Sequence, residues 1–324
     1  MSLPVDKGSH EELANAALKV QTKPLWTVMA QMNPPTPKAI CSPCVWRYDE
    51  IRPCLQWAGE LVTGQEAERR TLMLVNPTRD PPYTTDTLSA GLQLVMPKEV
   101  TPAHRHTAFA MRFIIEGQDG FTTIRASRIR MQRGDLVLNP TWNWHDQGTD
   151  GDKPIIWLDG LDVPTFRHFP AHFVEQYPSD TYPQGDAVDD SPNLHPWEDM
   201  QKKLDKSLGD WTSEDYLRPD GKPVSKTLGG AAERLNAGCT SPTVRETASS
   251  VYHVVSGQGY SDIDGARFHW KQGDTFCVPA WNEYKHTAEG TDPVYLYRFH
   301  DKPMLTALGI YRVDGCDLES LVSE

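Results

Sequence analysis

The chain has 324 residues, 38% of them hydrophobic, and a net charge of −12, a composition typical of a globular protein with one large or two ordinary domains. The acidic balance excludes a basic surface for nucleic acid or for an anionic membrane. We expect no signal peptide or membrane span, because basic starts and long apolar runs are missing, and six cysteines are too few for a disulfide scaffold, so the chain is predicted to be cytoplasmic.

Residues 1–70 are predicted to form a helical, proline-rich arm. Ser9 and Glu12 have the spacing of a capping box ahead of apolar residues at helical intervals, which predicts a short helix. The proline-studded stretch 24–43 is expected to wrap irregularly over other parts of the chain. A second helical stretch at 65–70 is predicted to lead into a strand at Thr71–Val75.

Two cysteines of this arm, Cys41 and Cys44, have the spacing of a zinc knuckle. A structural zinc site needs four ligands, and no second pair of cysteines follows. Reduced free thiols are therefore the simpler interpretation.

The rest of the chain divides into two strand-rich parts and a connector. Residues 71–176 contain short Val, Ile, Leu and aromatic runs broken by Gly and Pro, which predicts an antiparallel sandwich or barrel. Residues 177–225 are rich in Pro, Asp, Ser and Gly and are predicted to be a connector with a short helix at 197–208. Strand patterns return in residues 226–324, the predicted second barrel.

The two strand-rich parts repeat each other. Arg112–Gly117 matches Tyr252–Gly257, and Gly134–Asn143 matches Gly273–Asn282. The separation is about 140 residues in both cases, as expected for an internal repeat of one domain. The repeat predicts an all-β protein, with short helices, made of two copies of one barrel.

Three histidines of the first barrel are the candidate metal ligands. His104 and His106 are two residues apart, so their side chains share one face of a strand. His145 follows a Gly-Asp-(x)4-Pro turn at Gly134–Pro140, where a third inward ligand is needed. Three imidazoles on one face suit a first-row transition metal and leave coordination positions open.

The runs Trp142–Gly148 and Trp157–Asp162 closely resemble sequences of the gentisate 1,2-dioxygenase family, a group within the cupin superfamily. This family also includes salicylate and 1-hydroxy-2-naphthoate dioxygenases. The resemblance covers residues 65–300. It implies a bicupin fold, two double-stranded β-helix barrels of jelly-roll type after a helical N-terminal arm. It also implies that Fe(2+) binds to His104, His106 and His145.

Many cupins carry a glutamate three or four residues after the His-x-His pair, but Ala110 and Met111 stand there in this chain. That absence fits three-histidine dioxygenases. It argues against oxalate oxidase or oxalate decarboxylase chemistry, in which the carboxylate completes a manganese site.

The activity implied by the resemblance is extradiol-type ring cleavage of a hydroxylated aromatic carboxylic acid in aromatic-compound catabolism. With gentisate, O2 is inserted between the carboxyl-bearing and hydroxyl-bearing carbons to give maleylpyruvate. One alternative is the same chemistry on 1-hydroxy-2-naphthoate or a substituted salicylate. Another is a bicupin that binds an aromatic acid without turnover. The resemblance also implies a homotetramer, with the N-terminal arm as a clasp between subunits.

The second barrel is predicted to hold no metal. The repeat places Val244, Glu246 and Tyr284 where the first barrel has its three histidines. His286 aligns with Gln147 and is interpreted as a core or surface histidine.

The resemblance assigns substrate roles to Arg112, Gln93 and Asp159. Arg112 is expected to grip the carboxylate, with a structural ion pair to Asp146 or Glu116 as the alternative. Gln93 is expected to donate a hydrogen bond to the substrate. Asp159 is expected to lie near the ring 5-substituent, or else to form a turn before Gly160.

Two positions depart from the family pattern, and one stays ambiguous. Gln147 replaces a histidine that touches the substrate in family members, and Ser89 replaces a bulky aromatic residue of some relatives. Gln147 is therefore predicted to position the substrate through neutral hydrogen bonds. A second pocket arginine corresponds to Arg69 or Arg70, a choice that the sequence leaves open.

Overall fold

The computed structural model describes residues 9–179, 182–188 and 190–316. The chain divides into two compact units, residues 1–38 and residues 39–324. No helix in the described ranges is long and apolar enough to cross a membrane. Helices, numbered in chain order, are α1 (His10–Lys19), α2 (Met29–Met32), α3 (Tyr48–Leu61), α4 (Gly64–Ala67), α5 (Val163–His168), α6 (Trp197–Asp205) and α7 (Lys302–Ala307).

The first unit contains the predicted N-terminal helix. The Ser9 side chain accepts a hydrogen bond from the Glu12 backbone amide, and the Glu12 carboxylate accepts one from the Ser9 amide. This reciprocal capping box satisfies two amides that the helix leaves without partners. The proline-rich stretch that follows contains only the short helix α2 and a 3₁₀ turn at Leu25–Thr27.

Two helical features differ from the sequence predictions. The helix expected at 65–70 is a single turn, α4, because Glu68 has a positive φ of 51° that ends it. The 14-residue helix α3 was not predicted. Its central Pro53 reads in the sequence as a helix breaker, yet the helix continues through it and buries Leu55.

Strands make up most of the second unit. In chain order they are β1 (Cys44–Trp46), β2 (Thr71–Met73), β3 (Ser89–Val95), β4 (Val100–His106), β5 (Ala110–Glu116), β6 (Gly120–Ile124), β7 (Ser127–Met131), β8 (Leu136–Asn139), β9 (His145–Thr149), β10 (Ile155–Leu161), β11 (Val174–Gln176), β12 (Ala187–Val188), β13 (Leu194–His195), β14 (Trp211–Tyr216), β15 (Gly229–Leu235), β16 (Ser250–Ser256), β17 (Gln258–Ile263), β18 (Ala266–Lys271), β19 (Thr275–Val278), β20 (Tyr284–Glu289) and β21 (Val294–His300).

Each repeat is a sandwich of two sheets, which confirms the all-β bicupin fold. In the first barrel the sheets have the orders β13-β8-β5-β10-β3-β2 and β11-β4-β9-β6-β7-β12. In the second barrel they have the orders β1-β19-β16-β21-β15-β14 and β18-β17-β20. The strand order β8-β5-β10-β3 in one repeat corresponds to β19-β16-β21-β15 in the other.

Segments outside the repeats extend these sheets. Strand β1 of the predicted arm pairs with β19 of the second barrel, where Cys44 lies opposite Cys277. Strands β13 and β14 of the predicted connector pair with β8 and β15. The domain boundaries predicted at residues 70, 176 and 225 stay predictions.

Three hydrophobic clusters hold the second unit together. One fills the interior of the first barrel around Trp157, and one fills the second barrel around Trp270 and Phe276. The largest lies between the two barrels, where Phe113 of β5 stacks on Tyr297 of β21 with ring centroids 4.4 Å apart. The sheet that contains β5 therefore packs against the sheet that contains β21. The interior of each barrel stays separate and can hold a site of its own.

Candidate metal and substrate site

Three histidines converge inside the first barrel. His104 and His106 lie on the same face of β4, and His145 at the start of β9 is the direct cross-strand partner of His104. The ligand nitrogens lie within 4.8 Å of one another, and the rings are at most 5% exposed. Geometry thus brings together the three predicted metal ligands.

Backbone carbonyls orient all three rings. Nδ1 of His104, His106 and His145 lies 3.2, 2.8 and 2.9 Å from the carbonyl oxygens of Pro102, Ala108 and Asn143. A ring nitrogen that donates to a carbonyl carries the proton, so the other nitrogen, Nε2, keeps its lone pair. These three carbonyls thereby select one tautomer for all three ligands.

Burial keeps these imidazoles neutral. It lowers the pKa of His106 to about 4, and it lowers the pKa values of His104 and His145 well below the ordinary histidine value. Neutral imidazole is the form that binds a metal ion. A cation would therefore meet three lone pairs without displacing a proton at neutral pH.

The donor set fits a divalent first-row metal ion. Ala110 lines the cavity beside the histidines, and Met111 points into the cluster between the barrels. Among the described residues the group of candidate ligands contains no carboxylate. Three neutral nitrogens leave the charge of a divalent ion uncompensated, which favours an anionic ligand in the open positions.

Arg112 reaches the same cavity from the opposite sheet. Its Nε donates to Asp159 Oδ1 (3.0 Å), its Nη2 donates to Gln147 Oε1 (3.3 Å), and its guanidinium lies over the Trp157 ring. Trp157 Nε1 donates to the other oxygen of Asp159. Buried Arg112 keeps Nη1 without a hydrogen bond partner among the described residues, so one donor remains for a ligand.

The structural alternatives for these two residues are wrong. Asp146 accepts from the Thr123 amide and from Gln184, and Glu116 pairs with Arg52, so neither pairs with Arg112. Asp159 lies inside β10, opposite Arg112, and forms no turn.

Gln93 and Gln147 also line this cavity of about 420 Å³. Both side chains are at most 1% exposed, and the Nε2 atom of each has no partner among the described residues. Buried amides normally find hydrogen bond partners. A bound ligand is the group that would satisfy them.

The structure decides between the two arginines. Arg69 lines the cavity, and burial lowers its pKa while Asp159 opposes that shift. Arg70 instead donates to both oxygens of Glu99 and to the carbonyl of Val62. Arg69 is the pocket arginine and Arg70 is structural.

Asn139 was missed by the sequence analysis. It ends β8, lines the cavity and is 1% exposed, yet neither its Nδ2 nor its Oδ1 has a partner among the described residues. The sequence repeat could have identified Asn139 as a site residue, because Val278 at the matching position of the second repeat is apolar. A polar residue in only one of two matching core strands marks a site.

Ser89 lines the same cavity. It is buried, and its hydroxyl donates to the carbonyl of its cross-strand partner Leu161 (3.3 Å). The small side chain therefore borders open volume instead of filling it.

The matching interior of the second barrel is filled. Val244 and Tyr284 form a bridge like that of His104 and His145. Arg298 is the counterpart of Asp159. Its guanidinium donates hydrogen bonds to the hydroxyls of Tyr252 (2.9 Å) and Tyr284 (3.2 Å). His286 is a core residue, within 2.8 Å of the Ser261 hydroxyl.

Carboxylates complete this second cluster. Arg298 Nη1 lies 3.7 Å from Glu233 and 4.0 Å from Glu246, and all three side chains are at most 14% exposed. A fixed guanidinium thus replaces a metal ion as the central positive charge.

Comparisons with known proteins agree with this arrangement. The Cupin domain family model matches residues 91–161 and 232–299, one segment in each repeat. The chain is 35% identical to gentisate 1,2 dioxygenase 1 of Aquipseudomonas alcaligenes, over 89% of this chain and 91% of that one. It is 31% identical to 5-aminosalicylate 1,2-dioxygenase of Comamonas sp, over 94% and 88% of the two chains.

A solved structure gives the same result. Salicylate 1,2-dioxygenase from Pseudoaminobacter salicylatoxidans, in its adduct with gentisate, superposes with a TM-score of 0.87 at 30% identity. The match covers 97% of this chain and 96% of that chain. Similarity therefore extends over both barrels and the site between the sheets of the first.

Proposed function

The chain belongs to the gentisate 1,2-dioxygenase family, and from this premise we propose that it is an Fe(2+)-dependent ring-cleaving dioxygenase of a hydroxylated aromatic carboxylic acid. Gentisate is the first candidate substrate, and O2 is the second reactant. Both oxygen atoms enter between the carboxyl-bearing and hydroxyl-bearing carbons, which gives maleylpyruvate from gentisate.

His104, His106 and His145 are proposed to hold the iron through their Nε2 atoms. Bound iron(II) supplies a redox-active Lewis acid at which the hydroxy-acid and O2 meet. The chain contributes three preset, neutral donors, so the rings need neither turn nor lose a proton before binding.

Arg112 and Arg69 are proposed to hold the substrate carboxylate. The guanidinium groups of Arg112 and Arg69 line the cavity together with the carboxylates of Asp159 and Glu68, so an anion would be held by oriented donors and not by a net positive charge of the lining. Arg112 is held by Asp159 and Gln147, so its free Nη1 is already oriented. Charge-assisted hydrogen bonds of this kind are the stronger ones in proteins.

Three buried amides are proposed to orient the ring. Gln93, Gln147 and Asn139 offer donors without partners among the residues that the structure describes, which suits the oxygen atoms on a hydroxylated acid. Asp159 can still accept a further hydrogen bond, since a carboxylate has about four acceptor positions. Substituents of the ring that can donate, such as a hydroxyl, match that acceptor.

The observation that carries the proposal is the joint presence of a neutral three-histidine group and two guanidinium groups in one cavity. The test is anaerobic loading with iron(II), followed by oxygen-uptake assays with gentisate, salicylate, 5-aminosalicylate and 1-hydroxy-2-naphthoate. We expect stoichiometric uptake with at least one acid and a ring-opened product. Tight binding of these acids without any uptake would instead support the non-catalytic alternative.

A second candidate is the same reaction on 1-hydroxy-2-naphthoate or a substituted salicylate. The small Ser89 leaves room in the cavity for a larger ring or substituent, and one relative is a 5-aminosalicylate 1,2-dioxygenase. Relative kcat/KM values across the four acids decide between the candidates. The homotetramer and the cytoplasmic location stay predictions.

A further inference from the structure

The second barrel has a cavity of about 550 Å³ that the proposed reaction does not use. It lies between β14, β15, β21, α7 and the loop that connects β14 to β15. Its wall contains Gly229 and His300, which are cross-strand partners. Their counterparts in the first barrel, Ser89 and Leu161, are cross-strand partners that line the substrate cavity.

Both repeats therefore keep a cavity at the same end of the sandwich. In the first barrel the cavity continues inward to Asp159 and the histidines. In the second barrel Arg298 lies two residues before His300, on the same face of β21, and its ion cluster fills the inner space. What remains in the second barrel is an outer cavity beside Gly229 and His300, in which the described residues form no group of three candidate metal ligands.

The lining of this outer cavity is positively charged. Arg218, Lys222, Lys226 and Lys302 line it, against one carboxylate, Asp215. Lys226 and Lys302 have no ion-pair partner among the residues that the structure describes. Arg218 and Lys222 pair with Asp220, so in a chain with a net charge of −12 Lys226 and Lys302 are the cations left to attract an anion to this cavity.

His300 provides a second, independent sign of a ligand. Its side chain belongs to the cavity wall and the residue is 4% exposed, yet its buried Nδ1 has no hydrogen bond partner in the described part of the chain. Burial lowers its pKa well below the ordinary histidine value, so the ring is neutral and offers one donor and one acceptor. Buried polar groups of this kind rarely stay unsatisfied.

We propose that this cavity binds a small amphipathic carboxylate, at a site separate from the metal centre. Lys226 and Lys302 hold the carboxylate, and His300 donates a hydrogen bond to it. The body of the ligand packs against apolar wall residues, namely Tyr216, Leu217, Pro223, Pro303 and Ala307. An aromatic acid of benzoate size fits this combination of one charge and an apolar body.

The test uses 4-bromobenzoate and the intact, iron-loaded protein under anaerobic conditions. Calorimetric titration should show two binding sites per chain in the wild type, and bromine anomalous scattering from soaked crystals should place one of them beside His300. The double variant Lys226→Ala/Lys302→Ala should weaken that site about tenfold, as expected for two partly exposed charge contacts. Thr306→Trp, which fills the cavity from α7, should abolish it.

Two controls make the result specific. Lys153→Ala/Lys206→Ala changes the net charge equally at exposed positions outside the cavity, and it should bind like the wild type. Cavity variants should retain wild-type kcat/KM on the hydroxybenzoates. The proposal is overturned if the cavity variants bind 4-bromobenzoate as the wild type does, if bromine is found only at the metal centre, or if inorganic phosphate competes with equal affinity.

Discussion

Arg69 and Arg70 are neighbours with different tasks. Arg70 is buried and donates to Glu99 and to backbone carbonyls, so its charge is used within the fold. Arg69 lines the substrate cavity and has no hydrogen bond partner for its side chain among the described residues. The positive φ of Glu68 turns the chain just before this pair and sends the two side chains to opposite sides.

Substitution of each arginine should separate binding from stability. Arg69→Ala should lower kcat/KM by about 10- to 100-fold through a higher KM, because one charged hydrogen bond of ~1.5–3 kcal/mol is lost, with an unchanged melting temperature. Arg70→Ala is the matched control. It should lower the free energy of unfolding by ~1–3 kcal/mol and leave KM unchanged. Equal effects of both variants on KM would contradict the assignment.

The side chain of Asn139 is a buried amide without a hydrogen bond partner among the described residues. An unmade hydrogen bond in the interior costs free energy, so this residue weakens the ligand-free fold. Such a cost is typical of positions kept for a ligand. Its counterpart in the second barrel, Val278, is fully packed.

Asn139→Val, the residue of the second repeat, should therefore lower kcat/KM about 3- to 10-fold. The free energy of unfolding of the ligand-free protein should stay constant or rise. Asn76→Val is the control, because buried Asn76 donates to the Ser42 and Thr84 carbonyls, and its loss should destabilise the protein. Chemical denaturation and steady-state kinetics measure both quantities, and a destabilised Asn139→Val with normal kinetics would mean that the amide is structural.

Among the elements, helices α5 and α7 occupy matching positions in the two repeats, and the aspartates that precede them connect the two barrels. Each follows a buried aspartate, Asp162 or Asp301, whose carboxylate accepts from the amide of Phe109 or Ser249. The Thr87 hydroxyl of the first repeat donates to Asp301, and that of Thr227 of the second repeat lies beside Asp162. Each of these aspartates thus contacts a threonine of the other repeat.

The carboxyl groups of Asp301 and Asp162 should make the free energy of unfolding depend on pH. Burial raises the pKa of Asp301 to about 7 and that of Asp162 to about 6, above the unfolded value of about 3.9. The folded state then holds protons that the unfolded state has lost, so the free energy of unfolding falls as pH rises towards those values. Between pH 5 and pH 8 the loss is ~3 kcal/mol for Asp301 and ~1.5 kcal/mol for Asp162.

Asparagine at either position removes this titration. In metal-free protein, the stability of Asp301→Asn relative to the wild type should increase from pH 5 to pH 8, and that of Asp162→Asn should increase by less. Urea denaturation across this range measures both trends. A constant difference between Asp301→Asn and the wild type would show that the carboxyl group titrates normally.

The whole molecule contains two copies of one fold. Both copies must stabilise polar groups between two sheets, and they do so in different ways. The first copy offers His104, His106 and His145 as ligands for a metal ion, whereas the second places the internal cation of Arg298 between Glu233 and Glu246. An internal ion cluster leaves no open position for a substrate, so the second barrel supports the first through the shared core around Phe113 and Tyr297.

Metal analysis should therefore give one metal ion per chain. His104→Ala should reduce the content to near zero, because two imidazoles do not retain a divalent ion through purification. Glu246→Gln, at the position that matches His106, should leave the content at one while it lowers the melting temperature. Two metal ions per wild-type chain, or a loss of metal in Glu246→Gln, would refute the structural role of the second barrel.

Local sequence patterns determined much of this protein. Alternation along a strand places His104 and His106 on one face, the turn at Gly134–Pro140 places His145, and the repeat spacing indicates both barrels. The family resemblance pointed to Arg112 and Gln93 as residues of the same cavity. Each of these features depends on residues that are close in the chain or on a match between two similar segments, so they can be inferred without knowing which strands pair.

Only the tertiary structure decided the rest. Helix α3 forms despite Pro53, the side chains of Arg69 and Arg70 diverge, and Asp159 pairs with Arg112 across two strands. The family resemblance gave no role to Asn139, whose unsatisfied amide shows only when all neighbours are in place. These features depend on contacts between distant segments, and a pattern of local hydrophobicity and spacing does not encode such contacts.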